Sequence, residues 1–268
     1  MNNLLSEDKI RAYAKGAYLI TIADSVTSTN TILKEQARKG APHGTVLIAK
    51  EQTAGRGRLG RSFYSPDSSG LYMSVVLRLD CDNVFSELIT PAAAVAVVRA
   101  LISQGVKNPG IKWVNDIYCR DKKLCGILAE RVVRKGYCDF AVLGIGVNVT
   151  TPKSSFDPAV RDIAASISDF CSVNFSRNEL AATILNKLEK TLFEKDKEKS
   201  ALILDEYRDS SVIIGRNVYI TNGEKTVKAE VLGIDDDASL YVRYEDGVTE
   251  IVRTGEVSTK LIGEEEKE

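Results

Sequence analysis

Histidine is almost missing from this chain: one residue in 268, His43. A Ser-His-Asp triad would have to rest on it alone, and a zinc site built from several histidines is impossible. It lies in "KGAPHG" and reads as a solvated turn residue. Cysteine is equally unhelpful to catalysis. Cys81, Cys119, Cys125, Cys138 and Cys171 are odd in number and form no C-x-x-C pair. Their apolar or strand-like flanks make them small hydrophobes in a reducing cytoplasm. The opening "MNNLLSEDKIRAYAKG" has no basic run followed by an apolar one, so no signal peptide is expected. The most apolar helix-like stretch, residues 91–102, is too short to span a bilayer and is interrupted by Arg99. Nor is there an excess of one charge. A net charge of −1 excludes polyanion binding by the chain as a whole, so any phosphate affinity must be local.

What is present is ordinary globular material, 44% apolar and 27% charged, enough for a substantial core. Residues 18–22 read as a short strand. "STNTILKEQARKG" follows as a helix, with Ser28 or Thr29 as N-cap, Ile32, Leu33 and Ala37 on one face, and Gly40 as the stop. "TVLIAKE" and "LYMSVVLRL" are buried strands, and "SELITPAAAVAVVRALISQG" is a helix. "IKWVNDIYC", "LCGILAERVV" and "YCDFAVLGIGVNV" form a β-meander. Ser176 and Glu179 make a capping box that opens another helix, and the charged run "EKDKEKS" beyond it is a solvated turn or helix face. From Val212 the pattern changes to four or five short strands, which suggests a small closed β-barrel. The expected organisation is an α+β catalytic domain over residues 1–210, a mixed sheet flanked by helices, then a barrel over 211–268.

Between "TVLIAKE" and "LYMSVVLRL" lies "EQTAGRGRLGRSFYSPDSSG", whose G-R-G-R-L-G-R-S portion from Gly55 comes within one letter of a phosphate-binding P-loop. A P-loop needs a helix directly after its glycines, so that N-terminal amides can hold the phosphate. Here Ser65, Pro66, Asp67, Ser68, Ser69 and Gly70 make a turn-rich segment that cannot continue as a helix. The P-loop reading fails on context, but the chemistry stays pointed. Arg56, Arg58 and Arg61 lie within six residues, with Gly55, Gly57 and Gly60 allowing close backbone approach to a ligand. Forked guanidinium groups suit carboxylate and phosphate oxygens. Without a ligand, three such cations should repel one another and leave the loop mobile. A second cluster, "GIKWVNDIYCRDKKLCGILAE", brings Lys112, Asn115, Asp116 and Lys123 to the ends of adjacent hairpin strands, with Gly126 where a ligand could come close. A third, "GIGVN", places Gly144, Gly146 and Asn148 at a strand end.

Taken in order, Ser28-Thr29-Asn30, "GRGRLGR", "KWVNDIY", "KKLCGILAE", "GIGVNV" and "TGEVSTK" resemble the biotin–protein ligases. Two positions depart from the family pattern: Val114 stands where proline is usual, and Leu59 where some relatives have a further arginine. Too few residues precede Ser28 for the winged-helix domain of the repressor relatives, so the resemblance is to the monofunctional class, without DNA binding and without a membrane anchor.

The resemblance implies a two-step acyl transfer, with ATP, magnesium and biotin as reactants and a biotin carboxyl carrier protein as partner. Biotinyl-5'-adenylate forms first, and the biotinyl group then passes to a carrier lysine. It implies that Ser28, Thr29 and Gln52 hold the ureido head, that Asn30 also contacts biotin, and that Gly126 and Gly144 line the pocket. Gly55, Arg56, Arg58 and Lys123 would face the biotin carboxylate. Arg56, Arg58, Arg61, Lys112, Asn115, Lys123, Gly146, Asn148 and Lys260 would face ATP. Lys123 leads as the catalytic residue, with Arg58, Asp116 and Lys112 beside it; Asp116 would receive the acceptor lysine and Asn148 would meet the nucleotide with Mg²⁺. No metal-ligand set of the protein's own is expected. The resemblance also admits a homodimer paired through the larger sheet. Two alternatives remain at this stage: a lipoate or octanoate ligase of the same architecture, and a nucleic-acid-binding module using the arginine loop.

Overall fold

The computed structural model describes residues 4–78, 88–134, 137–193, 197–223 and 225–258. Lys260 and Cys81 lie outside the described residues. A seven-stranded sheet is built from β1 (Leu19–Val26), β2 (Thr45–Gln52), β3 (Gly70–Leu77), β4 (Gly110–Lys112), β5 (Asp116–Cys119), β6 (Lys122–Arg134) and β7 (Tyr137–Asn148). Its order is β1-β2-β3-β7-β6-β5-β4, with β1 and β2 parallel and every other neighbour antiparallel.

Helix α1 (Glu7–Tyr13), α2 (Thr29–Arg38), α3 (Ile89–Ser103), α4 (Arg177–Leu188) and α5 (Lys197–Asp209) accompany this sheet. Period-two alternation sends Leu47, Val76, Phe140 and Val142 to one face, where Leu33 and Ala37 of α2 cover them. Val46, Ile48, Val75, Leu77 and Leu143 point the other way into the larger core, where α3 and α4 pack. Strand β3 is therefore buried along its whole length, which is why it reads as a largely apolar run broken only by Ser74. The capping box forms as expected: Ser176 Oγ accepts from Glu179 N–H, and Glu179 Oε2 accepts from Ser176 N–H.

Three expectations need correction. Ser28 occupies the N-cap position of α2, but its side chain makes no capping bond. His43 is half-buried, and its Nδ1 accepts from the Arg78 backbone N–H at 3.2 Å. The charged run, expected as a turn or helix face, is helix from Lys197, and its residues 194–196 lie outside the described residues. The C-terminal strands β8 (Asn217–Asn222), β9 (Lys225–Ile234), β10 (Leu240–Tyr244), β11 (Thr249–Val252) and β12 (Glu256–Ser258) form an antiparallel sheet ordered β11-β10-β9-β8-β12. Among the described residues no ladder joins β11 to β12, so the sheet is not closed by backbone pairing.

The smaller sheet is fixed to the larger one beside the "KWVN" segment. Ile111 N–H donates to Ser210 O, Val212 N–H to Ile111 O, and the Trp113 indole N–H to Ala238 O at 2.7 Å. Trp113 is thus a buried strut, and the peptide bond that follows it, to Val114, is cis. Tyr207 of α5 donates to Val114 O at 3.0 Å from behind. Cys119, Cys125 and Cys138 are buried and Cys171 is half-buried, and burial raises the pKa of each of the four thiols. Among the described residues no helix is long and apolar enough to cross a membrane.

Candidate active site

A cavity of about 760 Å³ opens between the larger sheet, the arginine loop, residues 156–164 and the edge of the smaller sheet. It gathers residues that the sequence keeps far apart: Ser28, Thr29, Asn30, Gln52, Arg56, Arg58, Arg61, Lys112, Asn115, Asp116, Lys123, Gly126, Gly144, Gly146 and Asn148 all line it. Gly55 does not. It is buried where the two arms of the loop cross, and a Cβ there would sit 2.3 Å from Phe63 O. Its role is close packing of the loop base rather than ligand contact.

The polar floor comes from the start of α2 and the middle of the sheet. Thr29 N–H and Oγ1 both lie within 3.0 Å of Gln52 Oε1, and Gln52 Nε2 donates to Ser65 Oγ at 2.9 Å. Ser74 Oγ lies 2.7 Å from Thr29 Oγ1 and 2.6 Å from Asn30 Oδ1. Gly144 makes room for Asn30, since a Cβ there would fall 2.2 Å from Asn30 Oδ1. Gly126 and Gly146 are cross-strand partners, and the Phe63 ring rests on this bare pair of backbones.

The arginine loop folds back on itself. Gly57 N–H donates to Arg61 O, Phe63 N–H to Gly55 O, and Gln52 pairs with Ser65 at the base. No helix follows, in agreement with the rejection of a P-loop. The expected mutual repulsion of the arginines is answered by remote partners. Arg56 Nη1 reaches both oxygens of Glu130 at 3.0 Å, Arg58 Nη1 donates to Asn115 Oδ1 at 3.3 Å, and Arg61 pairs with Glu256 of the smaller sheet.

Opposite the loop, Lys123 Nζ lies 2.7 Å from Asp116 Oδ2, while Asp116 Oδ1 is buried without a partner. Lys112 sits 5.0 Å over the Tyr118 ring. Burial, and to a lesser degree the charge of Lys123, lower the Lys112 pKa against the opposing pull of Asp116. Asn148 is buried and donates to Ala165 O at 3.1 Å.

Sequence reasoning missed a whole wall. Phe156, Ala159, Val160, Ile163 and Ala164 lie on an irregular segment with no periodicity to betray it, yet they give the cavity an apolar side. It also missed Phe63, Ser74, Glu130 and Glu256. The family string "KKLCGILAE" contained Glu130, but a lone acid in a strand carries no chemical signature.

Comparison with known proteins agrees with this geometry. Residues 22–148 match the Biotin/lipoate A/B protein ligase family, and residues 213–260 match the Biotin protein ligase C terminal domain. The chain is 33% identical over 256 residues to a biotin–[acetyl-CoA-carboxylase] ligase of Mycobacterium tuberculosis, covering 93% of this chain and 92% of that one. It is 33% identical over 251 residues to the bifunctional ligase/repressor BirA of Bacillus spizizenii, covering 92% of this chain and 77% of the relative. The solved biotin protein ligase of Aquifex aeolicus in complex with biotin and ATP superposes with a TM-score of 0.72 at 25% identity, over 89% of this chain and 97% of that one. With its catalytic and C-terminal segments both matched, and a relative one-third identical over nearly its whole length, the chain belongs to the biotin protein ligase family.

Proposed function

We propose that this ligase condenses biotin with ATP to biotinyl-5'-adenylate and pyrophosphate, then transfers the biotinyl group to one lysine of a biotin carboxyl carrier protein. The acetyl-CoA carboxylase carrier is the favoured acceptor, by analogy with the mycobacterial relative. The observation that carries the reading is the hydrogen-bond character of the cavity floor. Thr29 Oγ1 and Asn30 Oδ1 can accept, and Gln52 Nε2 has one proton beyond the one given to Ser65. A urea offers two N–H groups and one carbonyl, which these groups complement. An octanoyl or lipoyl chain offers neither and would leave buried polar atoms unpaired.

The cations serve the reaction itself. A carboxylate must attack the α-phosphorus of a triphosphate, and the repulsion between two anions is the main obstacle. Lys112, Lys123, Arg56, Arg58 and Arg61 surround the same cavity and can offset it. A biotin carboxylate oxygen bonds to the α-phosphorus as the bond to pyrophosphate breaks. In the second step the carrier lysine nitrogen attacks the anhydride carbonyl and AMP leaves. Asp116 Oδ1, buried and unpartnered, is the group suited to orient that amine. The apolar wall at Phe156, Val160 and Ile163 suits the flat adenine ring. Among the described residues no cluster of His, Cys, Asp or Glu could hold a metal alone. Magnesium fits instead as a counter-ion of the phosphates, which supply most of its ligands together with water.

The arginines line this concave site, and two of them pair with acids there, which disfavours a nucleic-acid surface. ATP–pyrophosphate exchange run with biotin, lipoate and octanoate tests the reading. Exchange stimulated by biotin alone is expected; stimulation by lipoate or octanoate instead, or by none of them, overturns it.

The lowered Lys112 pKa gives a pH prediction. The ammonium form is needed and is lost as pH rises, so the alkaline limb of the exchange rate falls below the ordinary lysine value of about 10.4. In Lys112→Arg, where the charge persists, that limb moves upward. An unmoved limb assigns it to another group.

A further inference from the structure

Glu130 sits on β6 just outside the floor, with its side chain 12% exposed. Three side chains from two elements converge on its carboxylate: Arg56 of the loop at 3.0 Å to both oxygens, Lys34 of α2 at 2.9 Å, and Asn30 Nδ2 of α2 at 3.1 Å. We propose that Glu130 is a positioning residue for head-group specificity: it fixes the hydrogen-bond polarity of the floor through Asn30 while seating Arg56 of the anion loop. This deepens the biotin reading above and rests on it.

The argument is a count of protons. Asn30 Nδ2 faces Glu130 Oε2 and Leu128 O at 3.2 Å, both of which can only accept. The amide therefore cannot reverse, and Oδ1 must face Ser74 and the cavity. Ser74 has one proton and two oxygen neighbours. Asn30 Oδ1 can only accept, so the Ser74 proton serves it at 2.6 Å. Thr29 Oγ1, 2.7 Å from Ser74 Oγ, gives its own proton to Gln52 Oε1 at 3.0 Å. Donation thus runs one way, from Ser74 to Asn30 to Glu130. Acceptor lone pairs of Thr29 and Asn30 are left for the ligand.

An ionised carboxylate is what terminates this chain. Burial alone would raise the Glu130 pKa, but hydrogen bonds from Lys34 and Asn30, with the charges of Lys34 and Arg56, outweigh it and bring it below the usual carboxylate value. A neutral amide in its place could turn its own N–H toward Asn30 and would hold Lys34 and Arg56 less strongly. The same carboxylate holds Arg56, so head-group recognition and the anion loop share one anchor.

The test compares the affinity of biotin with that of its cyclic carbonate isostere, which has the same shape but no ureido N–H. Glu130→Gln is expected to weaken biotin by about tenfold and the isostere much less, so that the selectivity ratio falls. Glu130→Asp, which still only accepts, is expected to restore most of the ratio. In an Asn30→Ala background, Glu130→Gln is expected to change the ratio no further. A Glu130→Gln protein that keeps the wild-type ratio, or loses both affinities in parallel, overturns the proposal. So does a further drop in the Asn30→Ala background. If Glu130→Gln does not fold, a collapsed ratio in folded Glu130→Asp overturns it and a retained one supports it. Failure of the wild type to prefer biotin would instead strike the underlying reading.

Discussion

Lys123→Met is expected to slow biotin-dependent pyrophosphate exchange by about 10²–10³-fold, with a smaller loss of biotin affinity. The side chain is aimed by its backbone. Lys123 N–H donates to Ile163 O at 2.7 Å, and Lys123 O accepts from Ala165 N–H at 3.0 Å, so the residue is clamped between the β-hairpin and the apolar wall. A register shift in the β5–β6 pairing lies at Ile117/Tyr118, directly opposite. The ammonium is thereby held 2.7 Å from Asp116 at the cavity wall, where the proposed reaction would place the phosphorus oxygens. Methionine keeps the unbranched stem and removes only the charge. The Lys123 and Asp116 side chains are 26% and 22% exposed, so the lost pair costs stability only about 1 kcal/mol, after allowing for screening by water. A small fall in melting temperature beside a large fall in exchange separates chemistry from folding. Transfer from preformed biotinyl-adenylate should survive better than exchange. Exchange at the wild-type rate would remove Lys123 from its role.

The contrast between Lys123 and Glu130 shows what kind of information the sequence holds. Strands β2 and β3, helix α2 and the Ser176–Glu179 box were legible because each is written locally, in an apolar run, a helical stripe or a cap. The P-loop could be dismissed for the same reason, since Pro66 and its neighbours forbid a helix there. Helices α1 and α5 were not legible. α1 is seven residues long and leans on α4, where Asn178 and Asn186 bond the backbone at its two ends, a contact more than 160 residues away in sequence. The loop arginines look self-repelling when read alone, and only folding brings Glu130 and Glu256 to them. Ser28 reads as a cap because the position is right, although its hydroxyl turns elsewhere. The motif residues gather in the cavity, whereas the acids that hold the loop arginines are single letters chosen by distant neighbours.

Gly144→Ala should weaken biotin binding by about 100-fold without unfolding the protein, and the comparison with Gly146→Ala makes the expectation sharp. Gly144 is extended and needs no unusual dihedral; the constraint on it is space. It pairs with Ser74 on one side and Leu128 on the other, so its empty side-chain position lies in the floor itself. An added methyl group would meet Asn30 Oδ1 at 2.2 Å and Cγ at 2.9 Å. Asn30 cannot step aside, because Glu130, Leu128 O and Ser74 hold it on three sides. Relief must displace Asn30, and with it the acceptors that complement a urea. Overpacking costs about 1–3 kcal/mol of stability. Losing two such polar contacts costs about 100-fold in biotin affinity. At Gly146 the methyl group would meet the Phe63 ring at 2.5 Å, but that ring belongs to the arginine loop and can move outward. Gly146→Ala should therefore lose less affinity and almost no stability. Calorimetric titration with biotin and thermal melts of the two variants decide the matter. Wild-type affinity in Gly144→Ala, or an equal or greater loss in Gly146→Ala, would mean that Asn30 is not the rigid floor on which biotin recognition is built.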